Sequence, residues 1–353
     1  MENEKKVLFF LVPLFFVLFP VQAQVGGTST YGFLNLVPSP QVAALGGKVN
    51  AVPDANPALA FYNPALLDST ADNYLSMNYV NYFAGINFGY VAYSRSHRKF
   101  GNFSTGIHYI NYGSFIEADM MGMITGSFNA AEYAFNFTYS RVLPWMDSVW
   151  LVGMNVKPLM SVFERYSSFG LLADIGVTYR HPEQLFTAAF VIRNMGGQLS
   201  SYSRNGREAV PFEIQLGVSQ RLRHAPFRFS LVVQHLERFR LGYHRTENTS
   251  TGQTTGEDRN KKGFDLFADE LMRHIILGVE CTPFKGFILR GGYNYNRRQD
   301  MKISSKTGMV GFSWGMGIHI SRFRIDYARS SWHLSGASNH FSVNVDLNRA
   351  KRR

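Results

Sequence analysis

The residues best equipped for chemistry in this 353-residue chain are ten histidines, one cysteine and a set of charges embedded in apolar alternation. The histidines are scattered. His244 and His274 lie near a long polar stretch, whereas His235 and His319 fall inside alternating segments. A structural metal needs ligands at short, set spacings, and Cys281 has no companion cysteine with which to supply them. Nucleophilic catalysis needs nucleophile, base and orienting group together, and no local motif assembles them. This sets aside an outer-membrane hydrolase as the function. Gly315-Met316-Gly317 imitates a phosphate-binding turn, but such turns join a strand to a helix and these glycines lie within one alternation. The expectation is therefore no metal, no cofactor and no catalytic residue.

The charges are more informative. Arg180, Arg228, Arg290, Arg324, Asp174, Glu213, Asp326 and Asp346 share the parity of polar neighbours in strand-like segments. Tyr133, Phe135, Phe137 and Tyr139 alternate with Ala134, Asn136, Thr138 and Ser140, a period of two that puts the sets on opposite faces of a sheet. Phe212–Ser219 and Phe341–Asn348 repeat the pattern. Between Val310 and Ile320 the second face is small: Gly311, Ser313, Gly315, Gly317 and His319. A charge facing lipid at mid-membrane costs ~2–4 kcal/mol, so in a barrel these charges belong in the lumen. There they form either a polar path or a network bracing a closed barrel, and a plug-like N-terminal segment favours the network.

Alternating segments of this kind predict an all-β, transmembrane outer-membrane barrel of about 14 antiparallel strands. They fall near 73–83, 86–95, 100–112, 127–142, 148–160, 169–180, 185–194, 211–223, 227–237, 273–282, 287–297, 308–320, 323–333 and 339–348. Short and long connections alternate, which places the short turns and both termini in the periplasm. The first long-side hairpin, Ala84-Gly85, is an exception, and Phe115–Thr125 reads equally as a loop or an extra hairpin arm. Within the longest connection, Phe264, Leu266, Phe267 and Leu271 fit a short amphipathic helix, and the connection reads equally as a partner-docking surface or a protective surface loop.

Three domains follow: a signal peptide over 1–23, a plug-like segment over 24–72 and the barrel over 73–353. The first rests on Lys5 and Lys6, an apolar run too short to span a bilayer, and Ala23 at the expected cleavage site. Export makes nucleic acid an implausible partner for the net charge of +11 and leaves anionic lipid headgroups. The plug-like segment is rich in Pro, Gly and Ala, with Asn56-Pro57-Ala58 and Asn63-Pro64-Ala65 as capped turns.

The run Ala43-Ala44-Leu45-Gly46-Gly47, then Asp54, then Phe61-Tyr62-Asn63-Pro64-Ala65-Leu66-Leu67 resembles the N-terminal signature of the long-chain fatty-acid transporter (FadL) superfamily. The resemblance extends over the mature length, including Phe128–Tyr133 ahead of a strand, and is greatest to the PorV/PorQ branch of the type IX secretion system of Bacteroidota. The chain departs from many barrels by ending on Asn348–Arg353 rather than on an aromatic residue. The resemblance implies a FadL-like barrel in an attachment complex with a PorZ-like surface protein, the sortase PorU and the barrel PorV. In that complex secreted cargo is processed and linked to lipopolysaccharide, and this branch anchors without cleaving. The other function open to such a barrel is transport of hydrophobic solutes, which calls for an apolar lumen; the alternation reads as small, polar and charged.

Overall fold

A computed structural model describes residues 29–145, 148–181, 183–202, 206–242, 263–301, 308–333 and 336–348. The expected signal peptide, His244, the polar stretch 246–262 and the C-terminal residues 349–353 lie outside the described residues.

Period-two alternation becomes fourteen antiparallel strands that pair in chain order and close on themselves, β1 meeting β14. They are β1 Tyr74–Asn81, β2 Asn87–His97, β3 Gly101–Ala118, β4 Ile124–Trp145, β5 Ser148–Phe163, β6 Tyr166–His181 and β7 Phe186–Ser200. The remainder are β8 Glu213–Arg221, β9 Phe227–Val233, β10 Ile275–Phe284, β11 Phe287–Asn294, β12 Phe312–Ile320, β13 Phe323–His333 and β14 Gly336–Asp346. Tyr133, Phe135, Phe137 and Tyr139 face outward and Ala134, Asn136, Thr138 and Ser140 are buried within. Aromatic pairs gather outside near the short-turn end, as an interfacial girdle does: Trp150 on Tyr179 (5.0 Å) and Phe284 on Phe287 (5.1 Å). An apolar outer surface around a polar-to-mixed interior is the solution a closed sheet adopts in lipid, where no edge can be left unpaired.

Several boundaries differ from the alternation. Phe115–Thr125 is a hairpin arm, because β3 and β4 stay paired to Ala118↔Ile124 beyond a bulge between Asn111 and Ser114. The eleventh strand stops at Asn294, whose side chain accepts the Arg297 N–H (3.0 Å) and so begins a helix, Tyr295–Met301. Gly311 is buried but adopts a left-handed φ of 86° in the turn before β12, and His319 keeps the inward parity opposite Arg324 while lying exposed near that strand's end. His235 also leaves its predicted strand, with φ 55° just past β9.

Helix α1 is Pro40–Ala44, helix α2 is Gly263–Arg273 and helix α3 is Tyr295–Met301. The segment from Thr30 to Asn73 runs inside the barrel as α1 and four 3-10 turns, nearly all of it buried.

Candidate functional site

The luminal segment is built from the motif residues. Asn56 and Asn63 each cap a 3-10 turn that begins with proline, their side chains accepting the N–H of Ala58 (3.0 Å) and Ala65 (2.9 Å). Asn63 then donates to the Asn50 carbonyl (2.6 Å) and to Thr178 on β6 (3.0 Å). Leu45 ends α1, and Gly46 and Gly47 follow with φ of 95° and 96°, a conformation glycine adopts without strain. The Gly46 N–H donates to Ser313 (3.1 Å) and its carbonyl accepts from Asn294 (3.2 Å).

The wall is shaped to receive these turns. A Cβ at Gly153 would collide with the Pro64–Ala65 backbone, at Gly176 with the Asn63 side chain, at Gly217 with Asn50, and at Gly292 with Leu45 and Gly46. The small inward residues are thus the seats of the luminal segment as well as an effect of wall curvature.

Charge fastens it further. Among the described residues, ion pairs join segment to wall at Lys48 with Glu213, Asp68 with Arg180 and Asp72 with Arg95 (3.8 Å), and lastly at Asp54 with Arg324 (2.7 Å). The last continues into an alternating chain, Arg324–Asp326 (2.9 Å), Asp326–Arg290 (2.8 Å), Arg290–Glu280 (2.8 Å) and Glu280–Arg228 (2.9 Å). Arg180, Arg228, Arg290, Arg324, Glu213 and Asp326 are therefore brought together with the segment. Asp174 instead pairs with Lys157 (2.6 Å), both side chains fully buried, and Asp346 accepts the Asn348 N–H at its strand end (3.0 Å). Lys157 is a lumen charge that the polar alternation hides, although it shares the inward parity of Asn155 and Ser161. Arg193, a second such charge, lies over the rings of Phe61 (5.5 Å) and Tyr62 (5.8 Å).

The interior is not uniformly polar, which corrects the reading of that face. Tyr31, Phe33 and Leu34 pack on Val80, Phe88, Ile110, Leu159 and Leu172, and His108 sits in contact with Phe33 (5.2 Å) and Phe61 (5.0 Å). These wall residues are single apolar positions among polar ones, so alternation alone conceals the cluster they form around an apolar segment.

Asp54 gives the latch a pH dependence. Burial alone would raise its carboxyl, but Arg324 and Arg290 outweigh that and hold it at about 2. Its contribution, on the order of 2 kcal/mol, is present above the ordinary carboxylate value and is lost as pH falls through about 2. Acid titration of unfolding in vesicles should show this loss, and Asp54→Asn should remove it; an unchanged acid limb would refute the assignment.

At the long-connection end the β3–β4 hairpin stands free. Pairing of β2 with β3 ends at Asn111 and pairing of β5 with β4 ends at Ala130, so the arm beyond has both edges open for roughly 20 Å. Its tip is defined by Asp119, whose carboxylate accepts the N–H groups of Met121 and Met123 (both 2.9 Å). Ile116, Met120, Met121, Met123 and Ile124 are all exposed there. Elsewhere on this end, Phe264, Phe267 and Leu271 lie on the exposed face of α2, and Leu266 is half-buried. Among the described residues no group of three or more His, Cys, Asp or Glu could hold a metal ion.

Closure, an apolar exterior and an internally fastened N-terminal segment define a fourteen-stranded membrane β-barrel with an occupied lumen. The fold is similar to that of the Pseudomonas putida toluene transporter TodX, at 11% identity and TM-score 0.47 over 88% of this chain and 96% of that one. It is similar also to a Pseudomonas aeruginosa FadL homologue, at 10% identity and TM-score 0.47 over 88% and 99%. CdiB from Acinetobacter baumannii follows at 13% and 0.36 over 77% and 59%. No protein-family model and no curated relative matches the sequence.

Proposed function

We propose that this protein is a non-catalytic outer-membrane scaffold that holds surface proteins at its long-connection end, with that end outside the cell and both termini in the periplasm. The observation that carries the reading is the β3–β4 arm. An isolated two-stranded ribbon is marginal in water, and this one exposes isoleucine and methionine on a defined turn, the profile of a surface completed by a partner. A lumen latched by these ion pairs supports anchoring over permeation. The partners that the motif resemblance supplies are a PorZ-like surface protein, the PorU sortase and the PorV barrel, acting on cargo bound for lipopolysaccharide.

Deleting residues 114–127 in the native host tests this. The co-purifying surface protein should fall by roughly tenfold or more, the scale of losing a cluster of interface anchors, and cargo should be released from the cell surface. The barrel itself should still migrate as a folded, heat-modifiable band. Unchanged capture and attachment would refute the docking role.

The apolar cluster around Phe33 and Phe88 favours a second reading, transport of hydrophobic solutes. It requires that deleting the gene lower solute uptake while cargo attachment stays intact.

A further inference from the structure

The wall is low on one side. Strand β9 has only 7 residues, whereas a tilted strand needs ~9–11 to cross a bilayer. Beyond Val233 the chain continues as irregular backbone, which lipid tolerates only where its polar groups are satisfied within the protein. Here they are turned inward. The Gln234 N–H donates to the His274 carbonyl (2.9 Å) and the Leu236 N–H to that of Ile214 (3.0 Å). The Glu270 carboxylate accepts the N–H groups of Leu241 (2.8 Å) and Gly242 (3.1 Å). The His274 ring meets the carbonyls of Gln234 (2.7 Å) and Phe239 (3.0 Å).

Helix α2, which supplies Glu270, is inside out for an aqueous surface. Asp269 and Glu270 are buried, Asp269 accepting from Tyr295 (2.7 Å) and Arg273 (2.9 Å), while Phe264, Phe267 and Leu271 are 79%, 52% and 47% exposed. Phe267 stacks on Phe239 (5.6 Å), and exposed Leu236 and Leu277 continue the same apolar surface onto the outer wall. In water this arrangement forfeits the hydrophobic gain of three large side chains and confines two carboxylates that water would solvate.

We propose that α2 is seated in the membrane: its Phe264–Phe267–Leu271 face meets acyl chains in the leaflet at the long-connection end and supplies the height that β9 lacks. Continuity with the lipid-facing wall selects lipid over a protein partner as the occupant, and the docking role then rests on the β3–β4 arm.

Nitroxide labels on the full-length protein in phospholipid vesicles test the assignment. In a Cys281→Ser background, Phe267→Cys and Leu271→Cys would each be labelled, with Ile107→Cys on the mid-wall and Ile116→Cys on the arm as references. Heat-modifiable migration would verify folding, and two helix positions guard against one failing to fold. The expected result is loss of collision with a water-soluble nickel reagent and oxygen access like that at Ile107. Nickel access equal to that at Ile116 would overturn the proposal. Nickel access in vesicles that disappears only in intact cells would also overturn it, assigning the face to a protein.

Discussion

Replacing Asp174 by leucine is expected to destabilise the barrel by about 3–5 kcal/mol, the range for breaking a buried ion pair from one side. Asp174 pairs with Lys157 (2.6 Å) and also accepts the Asn194 N–H (2.8 Å) and a bond from Asn155 (3.2 Å). Without it the Lys157 ammonium keeps Asn194 (3.0 Å) and the Phe61 ring (5.0 Å), in a fully buried position where its charge is costly. Changing Lys157 to methionine in the same chain removes the stranded charge, so the double variant should recover most of the loss. Denaturant midpoints in vesicles would measure this. A single variant within about 1 kcal/mol of the parent would mean the pair contributes far less than its burial requires.

The second large effect is steric. Gly153→Ala and Gly176→Ala place one methyl group against Pro64–Ala65 and against the Asn63 side chain, and at Gly153 the obstacle is backbone, which cannot rotate away. Overpacking of this kind costs ~1–3 kcal/mol per site, and the two sites share one turn, so their costs should be coupled. The expected signature is protease cleavage of the luminal segment in a barrel that remains intact. Gly197→Ala, where the added methyl meets nothing within 4 Å, is the comparison. Equal behaviour of Gly197→Ala and Gly153→Ala would show that the wall glycines do not seat the segment.

Sequence alone reaches the barrel because a two-residue period survives in almost every strand, and a closed wall in lipid forces apolar residues to one side of it. The hairpin arm was ambiguous for a physical reason: a bulge at Asn111–Ser114 resets its parity, and both of its faces meet solvent, so no alternation remains to read. Alternation carries β9 past its true end because Leu236 keeps the apolar character of a strand residue after the regular ladder has ended. The latch was illegible for another reason. Lys48 and Glu213 are 165 positions apart, and Asp54 and Arg324 are 270 apart, so parity can say that each charge points inward but not which charge it finds. Gly46 and Gly47 were readable as a turn, while the complementary absence of a side chain at Gly292 has meaning only in three dimensions.

The seam between β1 and β14 sets an order of assembly. The luminal segment is tethered directly to β1, and β1 is hydrogen-bonded to β14 along its whole length, from Tyr74↔Asp346 to Asn81↔Asn339. A wall closed around empty space would have to admit the folded turns through an annulus already narrowed by side chains. Seating the segment against β5, β6, β8 and β11 first, then drawing the two terminal strands together, needs no such threading. The first and last strands therefore act as a clasp, and what they enclose is the segment that leads into β1.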